Sequence, residues 1–111
     1  MSKISETPEG SVALDFSRKV VESKFEEAAS LLSLSAKKEW SPALICEKYE
    51  EMVEYFEGFT PIVNEEYVME TYSDGQGKYI YVPLEGDIAS EAITVGVNAD
   101  LLIFAIEWGR P

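Results

Sequence analysis

The residues best equipped for chemistry in this 111-residue chain are carboxylates, phenols and one thiol. Asp and Glu number 21 against 9 Lys and Arg, there is no histidine, and the net charge is −12. Without an imidazole the chain builds neither a His-based catalytic dyad nor a His-containing metal site. Carboxylates crowd one stretch, Glu47, Glu50, Glu51, Glu54 and Glu57, where Lys48 is the only base. Positions 47, 50, 54 and 57 recur at intervals of three and four, which lines them along one side of a helix. Like charges at this spacing cost a few tenths of a kcal/mol per pair. A helix that carries several such pairs spends stability on charge. The ridge, extended by Glu65, Glu66 and Glu70, therefore reads as an attractor for a basic protein partner, with fast electrostatic steering. A metal role is a poor match. Di-metal helical sites pair Glu with a Glu-x-x-His motif, and Asp74-Gly75-Gln76-Gly77 lacks the alternating acids of a calcium loop. The expectation is no metal and no cofactor.

The phenols give a second set. An isomerase-type centre needs a base and an oxyanion donor in an apolar pocket. Tyr67, Tyr72, Tyr79 and Tyr81 have the hydroxyls, and Asp15, Asp87 and Asp100 the carboxylates, yet no motif joins them. Tyrosines of this kind commonly pack with a wet hydroxyl, so the chain reads as non-catalytic, with no catalytic residue to name. If the fold encloses a pocket, Tyr67, Tyr79, Tyr81 and Trp108 are its candidate lining. The alternative function is then a small-molecule-binding or isomerase-like pocket protein. Cys46 stands alone, which fits a reducing compartment.

The charge is unevenly spread. Residues 1–38 hold six acids and six bases, so the whole −12 falls in residues 39–111. Such a balance argues against nucleic acid, which is bound by neutralising phosphates with Lys and Arg, and against anionic membrane surfaces. The opening residues have no apolar run of signal-peptide length. No stretch nears the roughly 18 apolar residues of a membrane span. The expected location is cytoplasmic.

The elements that must position these groups follow from periodicity. Residues 1–10 read as a flexible N-terminal arm and 11–111 as a single domain. Leu14, Val21, Phe25, Ala28 and Leu32 form one helical stripe, which predicts a first helix over 12–34 with Ser11 as its N-cap. A second helix starts at Ser41-Pro42, with Ser as cap and Pro in the first turn. Its apolar stripe is Ile45, Tyr49, Met52, Val53 and Phe56, and Gly58 ends it. The period then changes to two. Strands are expected over 62–72, 78–85, 88–98 and 101–108, with turns at 74–77, 85–87 and 98–100. Pro83 marks an edge or a bulge. The last strand is apolar on both faces, so it should be central or doubly covered, with a homodimer through the sheet as one cover. Helices grouped before strands give an α+β fold, two N-terminal helices packed on a four-stranded antiparallel sheet. The expected core includes Leu14, Val21, Phe25, Leu32, Tyr49, Met52, Phe56, Val95, Ile103 and Phe104.

The segment Phe25-Glu26-Glu27-Ala28-Ala29-Ser30-Leu31-Leu32 resembles the F-x-x-A-x-x-L-L element in the first helix of the nuclear transport factor 2-like (cystatin-like) superfamily. Tyr49-Glu50-Glu51-Met52-Val53 is similar to its next helix, and Ile106-Glu107-Trp108-Gly109-Arg110-Pro111 to its ending. The resemblance spans roughly residues 12–108. It implies a curved sheet wrapped around a helix into a cone, with frequent sheet-to-sheet dimers. Functions in the superfamily range over isomerase-like enzymes, ligand binders, scaffolds and bacterial immunity proteins that neutralise toxins. The acidic ridge matches the immunity-protein type.

Overall fold

The computed structural model describes residues 6–54, 60–86 and 90–109. Within them the chain runs through helices α1 (Pro8–Val21), α2 (Phe25–Ala29), α3 (Leu34–Glu39) and α4 (Pro42–Val53). Strands β1 (Ile62–Val63), β2 (Met69–Ser73), β3 (Gly77–Glu85), β4 (Ser90–Asn98) and β5 (Ile103–Trp108) follow. A single 3-10 turn, Glu65–Tyr67, separates β1 from β2. The fold is α+β, with four α-helices and an open antiparallel sheet of five strands among the described residues. No described helix is long and apolar enough to cross a membrane.

The first helix begins earlier than expected and ends sooner. Thr7, not Ser11, is the N-cap, and its hydroxyl accepts from the Gly10 amide at 3.1 Å. Pro8 then enters the first turn, where its missing N–H has no intrahelical partner anyway. The helix stops at Val21 because Ser23 takes a left-handed φ of 64°, closed by Lys24 N donating to Lys19 O at 2.7 Å. The break separates two apolar stripes. Ala13, Phe16, Ser17 and Val20 are buried from α1, while Ala28, Ala29 and Leu32 are buried after the turn. An unbroken helix would carry these groups round its axis at about 100° per residue, away from a common core. Val21 and Phe25, expected inside, are only partly buried. The α4 cap follows the sequence: Ser41 Oγ accepts from Leu44 N at 3.1 Å. Phe56, Glu57 and Gly58 lie outside the described residues.

The strand expected over 62–72 is interrupted. Both β1 and β2 pair with β3 on the same side, one beyond the other, with the 3-10 turn between them. Pro83 faces that gap. Its carbonyl accepts from Asn64 N at 3.0 Å, so its nitrogen, which has no hydrogen to donate, points to the same side, where the ladder is already broken. Proline is thus housed in an inner strand and not on an edge. The hairpin turn is closed by Asp74, whose Oδ1 accepts from Gln76 N at 2.8 Å and Gly77 N at 3.2 Å.

The last strand differs most from expectation. Among the described strands β5 pairs with β4 alone and sits at the edge of the sheet, where Ile103 also forms an isolated parallel bridge to Leu32. Its first residue is capped by the α2–α3 connection: Ser33 N donates to Ile103 O at 2.8 Å, and Ile103 N to Leu31 O at 3.0 Å. A bulge opposite Gly96 and Val97 breaks the alternation. Ile103 pairs with Val97, Ile106 with Val95 and Trp108 with Ile93, so these three face the helices. Phe104 turns to the other face, half-buried, although it was expected in the core. The helix-side core joins Ile80, Val82 and Leu84 of β3 to Ile93, Val95 and Val97 of β4, with Phe16 and Val20 of α1 against them.

Gly77 has no room for a side chain. A Cβ there would run into the Val97 carbonyl oxygen and come within 2.8 Å of Phe104 Cε1, whereas Gly75 has nothing within 4 Å. Gly77→Ala is expected to lower stability by about 1–3 kcal/mol. Gly75→Ala should stay within about 0.5 kcal/mol of wild type. Denaturant unfolding of both variants checks the pair, and equal midpoints would refute the close approach.

Candidate functional site

Two surfaces hold the residues singled out by the sequence. The first is the outer side of α4. Ile45, Tyr49 and Met52 are buried, and Tyr49 packs on Phe25 with ring centroids 6.3 Å apart. That anchoring leaves Glu47, Glu50 and Glu54 exposed together on the far side. They span seven residues, or about 10 Å at a rise of roughly 1.5 Å per residue. Lys48 lies 3.6 Å from Glu51, and among the described residues no ion pair reaches Glu47, Glu50 or Glu54. Cys46 Sγ donates to Glu50 Oε1 at 3.1 Å. This hydrogen bond first, then desolvation and the Glu50 charge, pushes the thiol above its ordinary value and keeps it protonated.

The expected extension of the ridge does not hold as a continuous charge. Glu65 is ion-paired with Arg18 of α1. Glu70 lies 3.9 Å from Lys78, which also approaches Glu9 at 3.8 Å. Glu65 and Glu70 are answered locally, whereas Glu66, like Glu47, Glu50 and Glu54, has no ion pair among the described residues.

The second surface is the helix-free face of the sheet. Strand register builds it as rows. Met69, Tyr81, Thr94 and Glu107 stand side by side across β2, β3, β4 and β5. The next row is Tyr72, Tyr79, Gly96 and Ala105, and Phe104 covers Gly96. Tyr72 stacks on Tyr79 at 4.2 Å and 14°, and Tyr79 meets Phe104 edge-on at 5.4 Å. Beside this aromatic group lies a cavity of about 430 Å³ bounded by Thr71, Tyr72, Tyr81, Thr94, Glu107, Trp108 and Gly109.

Of the four candidate pocket residues, Tyr81 and Trp108 border this cavity and Tyr79 sits next to it. The Trp108 ring turns to the helix side, 6.5 Å from Phe16 and 6.1 Å from Trp40. Tyr67 is apart from the group, exposed in the 3-10 turn. Tyr72, Thr94 and Glu107 were missed as lining residues. Only strand pairing places them beside Tyr81, on a face where β4 contributes the small residues Ala92, Thr94 and Gly96. No family model matches the chain, and no curated protein or solved structure does so either.

Burial, then the nearby Asp74 charge and the Tyr72 contact, raise the Tyr79 phenol to about 12. The folded state thus holds this proton more tightly than the unfolded chain, whose tyrosine titrates near about 10. The associated stability is fully present below about pH 10 and is lost as pH rises towards 12. Stability measured against pH should fall in that window. Tyr79→Phe should remove the part of the fall that belongs to this residue. An unchanged profile in the variant would contradict the assignment.

Proposed function

We propose that the protein is a non-catalytic binding protein that docks a basic protein partner on the outer face of α4. The observation that carries this reading is the exposed set Glu47, Glu50 and Glu54, which has no ion pair among the described residues. Its underside is fixed by Ile45, Tyr49 and Met52, so the charges are presented on a rigid element. Filling of the helix side of the sheet favours a surface function over a pocket between helices and sheet: Ile80, Val82, Leu84, Ile93, Val95 and Ile103 are each 0% exposed. Neutralisation of a basic toxin is the form of this function that the charge suits best. In that form the fold belongs with the nuclear transport factor 2-like superfamily, its helices laid over an antiparallel sheet, and with its immunity-protein type. Arg18 and Lys78 already pair with Glu65 and Glu70, so of the expected ridge and its extension the carboxylates on α4 are the ones left grouped for a partner's cations.

Association should be fast at low salt and slow as salt rises, because exposed charges are screened beyond roughly 8–10 Å. The double variant Glu50→Lys/Glu54→Lys should associate at least about tenfold more slowly at low salt and approach wild type at high salt. Its unfolding midpoint should be unchanged, since neither side chain supports the core. The measurement is the association rate against salt with a basic partner in hand. Equal rates for the two proteins at every salt would refute the α4 reading.

A further inference from the structure

The cavity on the helix-free face has its own chemistry. Its floor is Thr94, 6% exposed, which stands between Tyr81 and Glu107 in one cross-strand row. Two strand spacings put the backbones of Tyr81 and Glu107 about 10 Å apart. A small residue between two long ones makes a depression with an aromatic ring on one wall and a carboxylate on the other. Tyr72 and Thr71 close the β2 side, and the Trp108–Gly109 end of β5 closes another. Among the described residues no Lys or Arg stands on this face: Lys78 belongs to the opposite face, with Glu9 and Glu70.

We propose that this depression receives an arginine side chain presented by a protein partner. Its volume of about 430 Å³ leaves room for an extended side chain of that size. A planar guanidinium stacks on a tyrosine face and at the same time donates in pairs to a carboxylate. Tyr81, Tyr72 and Glu107 offer those two features on facing walls. An anion would meet Glu107 and a net charge of −12, so the sign of the ligand follows from the charge. The exposed Met69 and Tyr72, each 48% accessible, flank the opening and give apolar contact to the residues around the inserted arginine. This goes beyond the α4 reading: it adds a separate site for a basic partner on the far side of the sheet and names the side chain that fills it.

The test uses the full chain and capped amino acids as probes, with binding followed by chemical shifts of the Thr94 and Glu107 amides. Capped arginine should bind, and capped citrulline, its neutral counterpart of the same shape, should bind at least about tenfold more weakly. Glu107→Gln should cost about tenfold in affinity for capped arginine. Tyr81→Ala should weaken binding while Tyr81→Phe retains it, and the unfolding midpoint of each variant shows whether it remains folded. Glu50→Lys/Glu54→Lys should leave capped arginine binding unchanged, so failure here is separable from failure at α4. Equal affinity for citrulline, no effect of Glu107→Gln, or no binding by millimolar probe overturns the proposal. Tighter binding of tetramethylammonium than of capped arginine overturns it in favour of a quaternary ammonium ligand. Binding that emerges only in Arg110→Gln overturns it in favour of the chain's own guanidinium. A sedimenting dimer abolished by Tyr81→Ala overturns it in favour of a second copy.

Discussion

The register of β3 against β4 is the constraint on which the rest of the structure depends. Nine consecutive pairs, from Gly77 with Asn98 to Glu85 with Ser90, fix which side chains of both strands face the helices. The period of a strand is two, so a slip by one residue would exchange the two faces entirely. In the observed register Ile80, Val82 and Leu84 of β3 lie with Ile93, Val95 and Val97 of β4 against the helices, while Tyr79, Tyr81 and Pro83 stay on the open face. Burying one such aliphatic side chain contributes roughly 1.5–3 kcal/mol. Six of them on one side therefore hold the register firmly. Everything on the helix-free face, including the position of Tyr81 opposite Thr94, is a by-product of that choice.

The helices answer to the same sheet. α1 packs on β3 and β4 through Phe16 and Val20, and the turn at Ser23 lets α2 reach the core from another direction. α4 is then held against α2 by Tyr49 and Phe25. Its carboxylates face outward because its apolar stripe has only one place to go. Geometry and charge thus come from a single cause. The same apolar burial that builds the core puts three carboxylates without an ion pair among the described residues on the outer side of α4, and an aromatic depression on the far side of the sheet. The two surfaces lie on opposite sides of the core, and each presents negative charge.

Much of this could be read from residue types. The cap at Ser41-Pro42, the turn at Asp74, the alternation of Ile80, Val82 and Leu84 and the outward row of Glu47, Glu50 and Glu54 all follow from local chemistry. A hydroxyl satisfies a free amide, an aspartate bridges a tight turn, and period two or 3.6 assigns a face. Each depends on neighbours within a few residues, and each is found as expected among the described residues.

What tertiary structure decided lies where local signals conflict or say nothing. Periodicity across residues 12–34 allowed one long helix, and only the need to bring Phe16 and Leu32 to the same core breaks it at Ser23. Pro83 looked like an edge residue, yet the gap between β1 and β2 gives its nitrogen a site with no ladder to spoil. The alternation in residues 101–108 offered two apolar faces, and the bulge opposite Gly96 and Val97 mixed them, sending Ile103, Ile106 and Trp108 inward and Phe104 outward. The row of Tyr81, Thr94 and Glu107 joins residues 13 positions apart in sequence at each step, through pairing that no local pattern encodes. Side-chain preferences act over one turn of helix or one strand. Which strand lies beside which is settled by burying all the apolar faces at once, and that is a property of the whole chain.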